Sequence, residues 1–124
     1  MHTIRTPHFV LYRRYLAAIG SLLAGVSVAM CAYAFHAATP EASPRLLQAA
    51  VFAFLHGFAL TALAPLAQRP TALLAMSMLL LGVLLFCGSL IAAALLGLTP
   101  ALAPLGGGLV ISGWLLHAYD RSRG

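Results

Sequence analysis

Apolar positions run almost unbroken along this chain. They are interrupted by polar, proline-bearing segments at only three places: Thr39-Pro40-Glu41-Ala42-Ser43-Pro44-Arg45, Gln68-Arg69-Pro70 and Thr99-Pro100-Ala101-Leu102-Ala103-Pro104. A membrane crossing needs about 20 mainly apolar residues. The stretches between the interruptions have that length, so the pattern predicts spans over residues 15–38, 46–66, 71–98 and 102–119. Pro65 sits where it would end the second span. The third is the longest and can tilt. The fourth is the shortest and ends at Asp120-Arg121-Ser122-Arg123. The expected fold class is an all-α membrane protein: one membrane domain over residues 1–124, an antiparallel bundle of four transmembrane helices.

Composition sharpens this picture. Of the 124 residues, 62% are hydrophobic and 7% charged, and the mean hydropathy is +0.98. Soluble domains run near 45–50% apolar and about 25% charged, so a soluble domain, a disordered chain and a disulfide scaffold are all excluded. A signal peptide is the rival for the first segment, because Ala32-Tyr33-Ala34 has a small-x-small form. The apolar run is long for such a leader, so a retained span is expected, and a lipoprotein site at Cys31 is not, because bulky Met30 stands where a small residue would be needed. Cys31 and Cys87 both fall inside apolar runs, where a thiol is ordinary filler.

Seven Arg, no Lys and two acids give a net charge of +5. In a soluble protein that balance would suggest nucleic acid. Here the arginines lie between apolar segments and read as topology. With the N-terminus inside, Arg5, Arg13, Arg14, Arg69, Arg121 and Arg123 are cytoplasmic and only Arg45 is outside. Both termini are therefore expected in the cytoplasm, with Tyr12, Tyr15 and Tyr119 forming an inner aromatic belt. No nucleic-acid partner is expected. The all-Arg, Ala- and Leu-rich composition hints at a bacterial GC-rich genome.

Lipid tails are as apolar as leucine, so helices in a bilayer associate by close backbone approach and interhelical hydrogen bonds. Small residues four apart then mark contact faces: Ala17, Ser21, Gly25 and Ala29 in span one, and Ala49, Ala53, Gly57 and Thr61 in span two. Span three offers Gly88 with Ala92, and Ser89 with Ala93 and Gly97. Span four offers Gly108 with Ser112, and also Gly106, Val110, Gly113 and His117 at seam spacing. Gly25, Gly57, Gly88, Gly106, Gly107 and Gly113 are the expected packing glycines. The Gly106-Gly107-Gly108 run lacks a P-loop lysine and reads as close packing or a flexible helix entry.

Three segments carry a resemblance. Phe86-Cys87-Gly88-Ser89-Leu90 is similar to a Phe-Ser-Gly-Ser-Leu signature. Pro104-Leu105-Gly106-Gly107 followed by Gly113-Trp114 is similar to a Thr-Pro-x-Gly-Gly…Gly-Trp signature, and His56-Gly57-Phe58-Ala59-Leu60 to a His-x-x-Ala-Leu element. Ala32-Tyr33-Ala34-Phe35-His36 adds a fainter echo of an Ala-Phe-Gly-Ala-His pattern. In these motifs the chain resembles the domain of unknown function 423 family, small four-span proteins of the bacterial inner membrane. It departs from them where Cys87 replaces a serine, and where Phe52 and Ala53 stand in place of a Tyr-Gln pair. The resemblance implies architecture and location, and no chemistry.

His36, His56 and His117 are the histidines within the spans. At 1.5 Å per residue, His56 lies about 15 Å below the outer end of its span, and Ser89 and Ser112 fall at a similar depth. A mid-membrane polar cluster of His56, Ser89, Ser112 and Cys87 is therefore expected, with His56 hydrogen-bonded to Ser89. It reads first as a clasp fixing helix register and second as a site handling protons or a ligand, since intramembrane ionisable residues are default functional candidates. The three histidines fall at different depths, so neither haem nor another cofactor is expected. No ligand spacing suggests a metal.

Glu41 and Asp120, the only acids, lie on opposite sides of the membrane, and no nucleophile–base–acid set exists. Enzymatic activity is not expected. Trp114 reads as a packing or anchoring residue. The expected function is that of a non-enzymatic accessory or assembly subunit of a larger membrane complex, a respiratory one among the candidates, with lipid and other membrane subunits as partners. The alternative is a small transporter or channel working as a homo-oligomer. A polar passage lined by His56, Ser89 and Ser112 would favour that alternative, and a dry core the accessory role.

Overall fold

The computed structural model describes residues 7–124; Arg5, counted above among the cytoplasmic arginines, lies outside them. Four α-helices form: α1 Pro7–His36, α2 Ser43–Leu63, α3 Pro70–Leu96 and α4 Ala103–Ser122. A 3-10 turn, Ala64–Leu66, follows α2. No strand occurs among the described residues.

Proline marks where helices begin and end. It occupies the first turn of α2, α3 and α4, where its missing N–H would be unpaired in any case and its fixed φ suits a helix. Pro65 has the opposite effect. It cannot donate to the carbonyl four residues back, and α2 gives way there to the 3-10 turn. Helix α3 stops at Gly97, whose φ of 69° is the left-handed conformation glycine adopts without strain. α1 begins at Pro7, so Arg13 and Arg14 lie within the helix rather than in a head preceding it.

By length and composition, Pro7–His36, Ser43–Leu66 and Pro70–Leu96 are each able to cross a membrane. α4 is a full-length helix but is not among them. Four glycines and the His117–Asp120–Arg121 end dilute its apolar content.

Consecutive helices pack antiparallel. Ser43 at the start of α2 donates to the carbonyl of Ala34 near the end of α1 (2.9 Å), and Arg13 near the start of α1 donates to the carbonyl of Ala67 beyond α2 (2.8 Å). α2 also packs on α3, whereas α1 and α4 share no extended contact. The core between the helices holds Leu60, Leu79, Val83, Ala49 and Ala75, all inaccessible.

Glycine pairs set the two closest crossings. A Cβ on Gly20 would lie 2.6 Å from the carbonyl oxygen of Gly57, and one on Gly57 would strike the Gly20 carbonyl in return. On the other pair, a Cβ on Gly82 would lie 2.8 Å from Val110, and one on Gly106 would lie 2.7 Å from the carbonyl oxygen of Gly82. Gly113 packs on Leu79 at 3.0 Å by the same measure. Gly57, Gly106 and Gly113 thus hold contact positions, joined by Gly20 and Gly82, which the four-residue stripes passed over. Gly25 and Gly88 do not: nothing lies within 4 Å of a Cβ on either. Gly107 meets only the ring of Phe86, at 3.9 Å.

The reason is angular. Five residues after Gly20, Gly25 has turned about 140° around the helix and faces away from α2.

A direct comparison follows from this geometry. Gly57→Ala should destabilise the chain in detergent by about 1–3 kcal/mol, the usual cost of overpacking a tight contact. Gly88→Ala should leave the unfolding midpoint unchanged or raised, because the added methyl meets open space and alanine is the better helix former. Thermal unfolding of the two variants, followed by circular dichroism, checks the contrast.

Candidate functional site

His56 lies on the inward face of α2 and is 6% exposed. Its ring is fixed on both sides. Nδ1 lies 2.8 Å from the carbonyl oxygen of Phe52, one turn earlier on the same helix. Trp114 of α4 donates its indole N–H to Nε2 at 3.1 Å. An indole nitrogen can only donate and a carbonyl can only accept. Nε2 is therefore the acceptor and Nδ1–H the donor, which fixes one tautomer. Both ring nitrogens are thereby engaged, and neither is left for a ligand.

Rings extend this contact across three helices. The Phe52 ring stacks on His56 with centroids 5.9 Å apart and planes 5° apart. On its other side Phe52 meets Phe86 of α3 at 4.8 Å. Trp114 meets His56 at 5.9 Å and, edge-on, His117 at 5.9 Å. The row Phe86–Phe52–His56–Trp114–His117 thus ties α3, α2 and α4 together around one histidine.

The expected partners lie elsewhere. Ser89 is half-buried on α3 and Ser112 is exposed on α4. Cys87 is buried, but its thiol donates to the carbonyl of Ala49 at 3.3 Å, seven residues from His56 along α2. The depth estimate fails through its reference points. His56 lies thirteen residues from the true start of α2 at Ser43, about 20 Å along the axis. Ser89 lies seven residues from the true end of α3 at Leu96, about 10 Å. The residue sequence reasoning missed as a partner is Trp114, and its signal was present: an indole N–H within an apolar span needs an acceptor, which lipid tails do not offer.

A second polar cluster occupies the end of the molecule where α1 and α3 begin and α4 finishes. Asp120, 5% exposed, accepts from the Thr71 hydroxyl and pairs with Arg69 at 3.5 Å. Arg69 also donates to the backbone carbonyls of Asp120 (2.7 Å) and Gly124 (2.9 Å), so the end of α4 is fastened to the start of α3. Nearby, Tyr12 and Ser77 share a hydrogen bond. Nδ1 of His117, one turn before Asp120, is buried and has no hydrogen-bond partner among the described residues. It borders a hollow of about 20 Å³ shared with Met76 and Asp120, the size one water occupies. His36, at the end of α1, is exposed. Between α1 and α2, Ser21 and Thr61 share a hydrogen bond at 3.0 Å. No group of three His, Cys, Asp or Glu side chains comes together among the described residues.

A family profile described as "Protein of unknown function (DUF423)" matches residues 27–107, well over half of the chain. The chain is a member of that family. The match takes in all of α2 and α3 and the opening of α4 up to Gly107, and stops before Trp114. No curated protein and no solved structure matches the chain.

The hydrogen-bond geometry separates Trp114 from the serines. Trp114→Phe leaves Nε2 of His56 without a donor and should cost about 0.5–2 kcal/mol. Ser89→Ala and Ser112→Ala should each stay within about 0.5 kcal/mol of the parent. A double-mutant cycle between His56→Ala and Trp114→Phe measures the coupling, and nitrogen-15 shifts of His56 report the tautomer. A ring protonated at Nε2 would contradict the assignment.

Proposed function

We propose that this protein is a four-span component of a bacterial inner membrane, with both termini in the cytoplasm, and that it acts as a non-enzymatic accessory or assembly subunit of a larger membrane complex. In this reading α4 crosses beside α3, its polar end held by Arg69 and Thr71 at the cytoplasmic face. The arginine distribution supports the orientation: Arg13, Arg14, Arg69, Arg121 and Arg123 share one end and Arg45 the other.

The observation that carries the functional reading is the commitment of the buried His56 within a mainly apolar core. His56 spends both nitrogens on Phe52 and Trp114, and the residues around it are apolar. Ser112, which a passage would need, faces outward. The sizeable hollow of about 370 Å³ between α1 and α2 is open to the side and lined by residues such as Val28, Phe35, Phe54 and Leu55. A conducting or carrying path needs polar groups facing one another through the interior. Meanwhile large apolar side chains point outward from every helix, among them Leu22, Phe58, Leu81 and Leu115. Such faces suit lipid and neighbouring subunits.

Gentle detergent extraction from native membranes, with sizing and identification of what co-purifies, tests the proposal. The expected result is recovery within a large complex of defined composition. Recovery alone, as a monomer or small homo-oligomer, would overturn the accessory role and turn attention to transport.

A further inference from the structure

Arg13 and Arg14 lie near the start of α1 and line a cleft with Val10, Ala17 and Pro65, of about 380 Å³. Arg13 is held in place by its bond to the carbonyl of Ala67. Arg14 is exposed and makes no hydrogen bond or ion pair among the described residues. The same end of the molecule carries Arg69, Arg121 and Arg123, and its one described acidic side chain, Asp120, is engaged by Arg69 and Thr71. At the opposite end Glu41 and Arg45 balance. The cleft thus lies in a region of marked positive excess, with apolar walls running from its basic mouth.

We propose that this cleft binds an anionic phospholipid, its phosphate headgroup at Arg14 and Arg13 and the start of an acyl chain against Ala17, one turn deeper along α1. The proposal rests on the membrane-embedded reading above. Guanidinium groups suit phosphate oxygens because their donors are planar and paired. Each basic residue near an anionic bilayer surface strengthens attachment about fivefold. The apolar walls argue for a lipid rather than a free anion, since inorganic phosphate has nothing to place on Ala17. Arg13 sets the position of the mouth, and Arg14 supplies the uncommitted charge.

The test is native mass spectrometry of the full chain in detergent, with phosphatidylglycerol or phosphatidylcholine added. The expected result is preferential retention of phosphatidylglycerol, reduced about fivefold by Arg14→Gln and unchanged by Arg123→Gln, which removes the same charge from the same end outside the cleft. Circular dichroism should show Arg14→Gln folded, since that side chain is exposed and bonds to nothing among the described residues. Equal retention of the two lipids would overturn the proposal, as would an equal loss in Arg123→Gln, which would indicate diffuse attraction. Displacement of the lipid by millimolar inorganic phosphate would assign the cleft to a free anion and likewise overturn it. Retention of no lipid of either kind would also overturn it, whereas recovery of the protein in the aqueous fraction without detergent would overturn the membrane-embedded reading itself.

Discussion

The closest approach of backbone to backbone governs this structure, and it occurs twice: Gly20 on Gly57, and Gly82 on Gly106. In a bilayer the hydrophobic effect does not drive helices together, because a leucine face is as well solvated by lipid as by another helix. Association then depends on dispersion and on weak Cα–H···O contacts, both of which need the axes close. Any side chain at these four positions would hold the axes apart. The register set there propagates. One residue beyond Gly20, Ser21 meets Thr61. Seven residues beyond Gly106, Gly113 meets Leu79 and Ala75, and seven beyond that, Asp120 meets Thr71 and Arg69. The interval of seven is the left-handed coiled-coil repeat, which keeps one seam facing its partner along the whole helix.

That repeat also explains what the sequence discloses and what it conceals. Helix positions follow from proline placement and apolar run length, since both act locally. Contact faces follow only in part from stripes four residues apart: Ala49, Ala53 and Gly57 are buried in α2, whereas the α1 stripe fails beyond Ser21. A spacing of four drifts about 40° per step against a helix of 3.6 residues per turn, so Ala17, Ser21, Gly25 and Ala29 wind off the seam. The buried residues of α1 are Leu16, Gly20, Ser27 and Ala34, spaced by four and then by sevens. In α4 the seam spacing of Gly106, Val110 and Gly113 was readable, and all three are buried. His117, the next position on that spacing, is half-buried with its Nδ1 enclosed, and Asp120 continues the seam three residues on. Alanine-rich helices contain small residues on every face, so composition alone could not choose between them.

The His56 site shows the same division. Its burial was legible, because a lone histidine in an apolar run with Gly57 beside it falls on the inner face of α2. Its partner was not. Depth counted from an assumed helix end carries the error of that end, and shifts of two or three residues at α2 and α3 moved Ser89 out of reach. Register between α2 and α4 is set indirectly, through the glycine crossing of α3 on α4 and the packing of α2 on α3. No local pattern encodes it. Once the register is set, Trp114 stands level with His56, and the indole donor meets the imidazole acceptor.

The two polar devices then divide the work by position. In the interior, the His56–Trp114 bond and the stacked Phe52 ring join α2 to α4, which the packing otherwise links only through α3. An apolar pair at that height would slide with little penalty against lipid-like neighbours. A directed N–H···N bond has one register at which it forms, and its energy is modest because specificity, more than stability, is what a polar clasp contributes in lipid. At the end of the molecule, Arg69 gathers Asp120 and the last carbonyl of the chain onto the start of α3. A helix with four glycines and a charged end has weak grounds of its own for staying in place. Fastened at Arg69, packed through Gly106 and Gly113, and latched at His56, α4 is held at its end, along its length and across to a third helix. Under the proposed accessory role, the apolar outer faces of such a unit are where a neighbouring subunit or lipid would make contact.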